Sequence, residues 1–134
     1  DIKIGEVHLH GNDLYFHSGH LGGEGGYDIW VTSRNGSNWS DPISISSVNS
    51  SETESWPYVS SNGNELCFSK YYLGTPAIFR SVKINNNWSA PVLIISQFAG
   101  EPTLDDEGNL YFVHHYYENN VMTEADIYVA YRKK

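Results

Sequence analysis

The sequence predicts an all-β fold assembled from repeated, blade-like sheets, and three observations predict it. Asp28-Ile29-Trp30 returns as Ala77-Ile78-Phe79 and again as Asp126-Ile127-Tyr128, each 49 residues on. Asn38-Trp39-Ser40-Asp41-Pro42 returns as Asn87-Trp88-Ser89-Ala90-Pro91 at the same interval. Aromatics are rich, with 10 Tyr, 5 Phe and 4 Trp in 134 residues, a balance that suits strands joined by tight turns. A fixed period of that size, carrying strands and turns, marks a blade-by-blade β architecture.

In the first unit, residues Gly5 to His10 alternate and end at Gly11-Asn12-Asp13, a strong turn signal, after which Leu14-Tyr15-Phe16-His17-Ser18 reads as the second arm of a hairpin. The glycines at 22, 23, 25 and 26 form a loose loop, expected to supply positive φ in a wide turn, before a third strand from Tyr27 to Arg34. Asn35-Gly36-Ser37 then turns the chain into a fourth strand, Trp39 to Ser46. The second unit repeats this order with Pro57 to Ser61, Glu65 to Lys70, Ala77 to Ile84 and Trp88 to Ile95, its glycine loop reduced to Leu73-Gly74-Thr75-Pro76. The third runs Glu101 to Asp105, Asn109 to His115, a longer polar loop from Tyr117 to Glu124, then Ala125 to Tyr131. It lacks the Asn-Trp-Ser-x-Pro strand.

The repeats therefore divide the chain at about 1–46, 47–95 and 96–134, with the last incomplete, in a single segment without a linker. Three four-stranded blades are fewer than the four to eight of a closed propeller. Open sheet edges invite aggregation. The expectation is half of a roughly six-bladed propeller, completed by upstream sequence or by homodimerisation. The absence of Met and of a signal pattern at Asp1 likewise predicts a processed chain or a piece of something longer.

A net charge of −8, with one basic cluster at Arg132-Lys133-Lys134, argues against nucleic acid, whose phosphates need a cationic face. No apolar run approaches the ~20 residues of a membrane span. Cys67 is alone and sits in Leu66-Cys67-Phe68, matching Leu14-Tyr15-Phe16 and Leu110-Tyr111-Phe112, which makes it a packed strand residue.

Several of these stretches carry a family resemblance. Ser18 to Trp30, with its glycine-rich loop and Asp-Ile-aromatic ending, is similar to the signature of TolB-like (WD40-like) β-propeller repeats. Val48-Asn49-Ser50 followed by Glu54-Ser55-Trp56-Pro57 looks like that family's crossing between blades, and Gly100-Glu101-Pro102 with Gly108-Asn109-Leu110-Tyr111-Phe112 is a third match. Ala77 and Val7 depart from the pattern where it has Asp and Pro. The resemblance implies a six-bladed propeller in an exported, periplasmic or cell-surface protein, acting as a binding or scaffold module without cofactor or chemistry of its own.

Candidate site residues follow from the repeat. Glu6, Glu54 and Glu101 precede or open the first strand of each unit, nearest the axis of a propeller, where they would form an anionic ring for a cation or sugar hydroxyls, or else cap backbone donors of neighbouring blades. Trp39 and Trp88 either pack between blades or offer a sugar-stacking platform at the rim. Asp28 and Asp126 stand where a carboxylate accepts backbone N–H bonds from a turn. Glu6, His8 and His10 alternate on one strand and are candidates for a metal; His17 and His20 follow nearby. No Ser-His-Asp or Cys-His set can be assembled from spacing. The expected function is recognition of a protein or glycan partner at a channel mouth or blade rim. The alternative is part of a propeller-type carbohydrate-active enzyme using inner-strand carboxylates.

Overall fold

The computed structural model describes residues 4–19 and 22–133; His20 and Leu21 of the glycine-rich signature, and Lys134, lie outside them. The described residues form thirteen strands in three antiparallel sheets, without helix. The first sheet holds β1 (Ile4–His10), β2 (Asp13–Ser18) and β3 (Asp28–Asn35), with β4 (Asn38–Trp39) and β5 (Ile43–Ser44) both on the far edge of β3. The second repeats it with β6 (Glu54–Val59), β7 (Glu65–Tyr72), β8 (Thr75–Ile84), β9 (Asn87–Trp88) and β10 (Val92–Ile95). The third contains β11 (Ala99–Leu104), β12 (Leu110–Glu118) and β13 (Val121–Ala130). None of the three sheets closes on itself.

The expected single fourth strand is split in two, and the repeated Ser-x-Pro explains why. Ser40 Oγ accepts the Ser33 N–H at 3.0 Å while its carbonyl accepts the Thr32 hydroxyl at 2.6 Å. Ser89 does the same for Val82 N–H at 3.1 Å and the Ser81 hydroxyl at 2.6 Å. The N–H of each serine still bonds the neighbouring strand, to the Ser33 and Val82 carbonyls at 2.9 Å, but its side chain takes the return bond, and the ladder breaks there just before Pro42 and Pro91, which have no N–H to give.

Two loops differ from expectation. The stretch from Tyr117 to Glu124 is a hairpin, not a polar loop: Glu118 pairs with Val121 across Asn119-Asn120, whose φ of 50° and 63° make the tight turn that matches strand twist. Of the four glycines at 22, 23, 25 and 26, only Gly22 takes a positive φ. Gly25 is there for proximity, since a Cβ would lie 2.0 Å from the Glu52 carbonyl oxygen.

Alternation along the strands gives each sheet two usable faces. Tyr15 and Ile29 of the first sheet pack with Val59, Leu66, Phe68, Ala77 and Phe79 of the second. The opposite face of the second sheet, with Cys67 and Ile78, packs with Ala99, Leu104, Leu110 and Phe112 of the third. Two apolar layers, each burying side chains worth about 1.5–3 kcal/mol apiece, therefore hold three sheets side by side. Asn49 secures the passage from first to second sheet: its amide accepts the Ile29 N–H at 2.8 Å and donates to the Ile29 carbonyl at 2.9 Å, acting as a piece of strand.

Candidate functional site

Each sheet's leading strand carries one extra residue at the same place. Register slips between Gly5 and Val7 in β1, between Ser55 and Tyr58 in β6, and between Gly100 and Thr103 in β11. The equivalent pairs are therefore Glu6-Val7, Trp56-Pro57 and Glu101-Pro102. A bulge leaves its extra residue unpaired and re-aims the side chain. Trp56 and Glu101 adopt left-handed φ of 48° and 56°, a conformation that costs a non-glycine residue roughly 1–2 kcal/mol. Tertiary bonds hold it: Trp56 N–H reaches His17 Nδ1 at 3.3 Å, and Glu101 N–H reaches Ser69 Oγ at 3.2 Å, each on the preceding sheet.

The bulges of β1, β6 and β11 open on one groove of about 360 Å³, lined by Glu6, Val7, His8, Trp56, Tyr58, Glu101 and Thr103 among others. Glu6, Trp56 and Glu101 are all exposed there. Trp56 thus shares a groove open to solvent with glutamates contributed by the sheets on either side.

Of the three glutamates singled out in sequence, the structure brings Glu6 and Glu101 together on this groove but not Glu54. Glu54 is fully buried, accepting the Ser50 hydroxyl at 2.5 Å and the Ser50 N–H at 3.2 Å, with Lys70 Nζ at 3.3 Å. Burial raises its pKa above the usual carboxylate value, although Ser50 and Lys70 pull the other way. The residue in register with Glu6 and Glu101 is Trp56. Counting back one position from Val7, Pro57 and Pro102 would have found it; matching by acidic type did not.

The pairing of Trp39 and Trp88 also separates. Trp88 is half-buried between sheets, edge-on to Tyr15 at 6.4 Å with Lys83 Nζ 4.7 Å above its ring, while Trp39 lies exposed on the first sheet's outer side. Neither lines the groove of the glutamates.

His8 makes an inter-sheet bond instead of a ligand set. Its Nε2 lies 3.0 Å from the Val59 carbonyl and its ring rests against Tyr58 at 4.3 Å, and burial lowers its pKa. The register-equivalent Tyr58 donates its hydroxyl to the Leu104 carbonyl, also at 3.0 Å. The bulge at Glu6 interrupts the alternation that was to place Glu6, His8 and His10 on one face. Among the described residues no three His, Cys, Asp or Glu side chains come together as a metal site.

Asp28 is buried and receives the Glu24 and Gly25 N–H groups at 3.0 and 3.3 Å, the turn-capping role expected of it. Cys67 is fully buried, and burial pushes its thiol up to about 12, well away from thiolate chemistry. His17 is buried with its ring 5.6 Å from that of Trp56, and burial lowers its pKa against the pull of Glu6. Compared with known proteins, the chain matches no family model and no curated protein.

Proposed function

We propose that this chain is a non-catalytic binding or scaffold module whose three sheets are blades of a TolB-like β-propeller, and that it recognises a protein or glycan partner at the groove where the leading strands meet. The observation that carries the reading is the alignment of Glu6, Trp56 and Glu101 at the same bulge of three adjacent sheets. Strained backbone at exposed, chemically apt side chains is where binding sites concentrate. An exposed indole flanked by carboxylates suits a sugar ring, which stacks on the indole and bonds the acids through its hydroxyls, or a Lys or Arg side chain of a peptide. On the family resemblance alone, the setting is exported, periplasmic or cell-surface.

The alternative, a fragment of a carbohydrate-active enzyme, would have to take its acid and base from Glu6 and Glu101, because Glu54 is committed to Ser50 and Lys70. Probing glycan and peptide arrays with the labelled chain separates these readings. Binding without turnover, weakened more than about tenfold in Trp56→Ala and in Glu6→Gln/Glu101→Gln, supports the module, as hot-spot aromatics dominate such sites. Hydrolysis of a bound glycan that disappears in Glu101→Gln would replace it with the enzyme, and binding indifferent to all three substitutions would move the site elsewhere.

A further inference from the structure

The register makes positions in the three sheets interchangeable, so each sheet reports what its neighbours' surfaces expect. Leu9, Val59 and Leu104 are equivalent, each paired with the first leucine of the following strand, Leu14, Leu66 or Leu110. Ile29, Ile78 and Ile127 are equivalent on the third strands. At both internal interfaces the isoleucine side of one sheet meets the leucine side of the next.

Two of these sides have no mate among the described residues. Ile127 is 77% exposed whereas Ile29 and Ile78 are at 0%. Leu9 is 60% exposed whereas Val59 and Leu104 are at 1% and 7%. They are the two halves of one kind of contact. An aromatic pair says the same: Trp88 packs edge-on against Tyr15 across the first interface, and their equivalents are Trp39, 46% exposed, and Tyr111, 39% exposed. The third sheet needs a neighbour that presents leucine-side residues and a tryptophan on its outer edge. The first sheet of this same sequence supplies both.

Resting on the blade reading above, we propose that the Ile127 face of one copy docks onto the Leu9 face of a second copy, setting Trp39 of each against the partner copy's Tyr111. Both copies own both faces, so the contact forms twice about a twofold axis and joins six sheets in a closed pair. His8 and Tyr58 bond the next sheet's carbonyl at 3.0 Å, but their equivalent Thr103 is too short to reach across. Val113 stands where His17 and Ser69 accept the next bulge's N–H, so this contact lacks two inter-sheet hydrogen bonds that both internal ones make. Each copy carries a charge of −8, so added salt screens their repulsion and tightens the pair.

The test is light scattering of the full chain over a dilution series, beside Ile127→Asp and Leu9→Asp, both folded by circular dichroism because both positions are exposed. The expected result is a dimer whose dissociation constant rises more than about tenfold in either variant, since each buries an unpaired charge in both contacts. Mixing the two variants restores one wild-type contact and hence partial pairing. A monomer at all concentrations, an open series of larger species, or a dimer indifferent to both substitutions overturns the proposal. The blade reading is separately exposed to small-angle scattering of the monomeric Ile127→Asp chain, which it expects to be a curved arc; a straight row of sheets would remove that reading whatever the dimer does.

Discussion

Trp56 and Glu101 occupy the same bulge of consecutive sheets, both left-handed, each donating its backbone N–H to a side chain of the preceding sheet. The acceptors differ. Glu101 uses the Ser69 hydroxyl, which does not titrate, whereas Trp56 uses Nδ1 of His17, available only while the ring is neutral.

That difference makes the Trp56 bulge sensitive to acid. Burial lowers the His17 pKa below its ordinary 6.5. A folded value below the unfolded one gives stability that is present above pH 6.5 and lost as pH falls through the lowered value. Thermal unfolding midpoints of the wild type should fall through this window, and His17→Ser, which installs the Ser69 solution, should show a shallower dependence. An identical pH profile would disconnect His17 from the bulge.

Asn49 bridges both backbone groups of Ile29. The Ile29 carbonyl keeps a second donor, Ile45 N–H at 3.0 Å, so Asn49→Ala orphans chiefly the buried Ile29 N–H. The expected loss is about 1–3 kcal/mol by denaturant titration, the cost of one unsatisfied buried donor.

Glu54 titrates in the opposite sense to His17. Its raised pKa means that the folded chain holds the proton more tightly than the unfolded one, so its contribution is largest below the ordinary 4.5 and is lost as pH rises through the raised value. The stability difference between wild type and Glu54→Gln should therefore decline as pH rises through that range. A difference that grows would mean that Lys70 and Ser50 outweigh burial.

Gly25 is constrained by neighbours that cannot yield. A methyl there would meet the Glu52 carbonyl oxygen at 2.0 Å and the Ser50 carbonyl oxygen at 2.4 Å, both backbone. Gly25→Ala should destabilise by about 1–3 kcal/mol, as overpacking does, whereas Gly22→Ala meets no neighbour within 4 Å and bears only the strain of its φ of 100°. Paired thermal melts check the contrast in mechanism.

The strand order was legible because period, turn residues and alternation agree over most of the chain. Asn119-Asn120 was misread as part of a loop, since polar flanks from Tyr117 to Glu124 hide a tight turn whose signal is two residues able to take positive φ. The site was half legible. Glu6 and Glu101 declare themselves by type, but a tryptophan with positive φ is not encoded locally; the bond to His17, 39 residues away, imposes it. The two Ser50 bonds to Glu54 are local, four residues apart, but its burial was hidden because Lys70 meets it only through sheet register.

The most direct test of the central claim, that three equivalent bulges build one recognition mouth, is amide and indole chemical-shift mapping while the best ligand from the arrays is added. The expected perturbations centre on Glu6, His8, Trp56, Tyr58, Glu101 and Thr103, with the Trp56 indole shifting most and Trp39 and Trp88 unmoved. Perturbations centred on Trp39 or Trp88, with the Trp56 indole still, would contradict it.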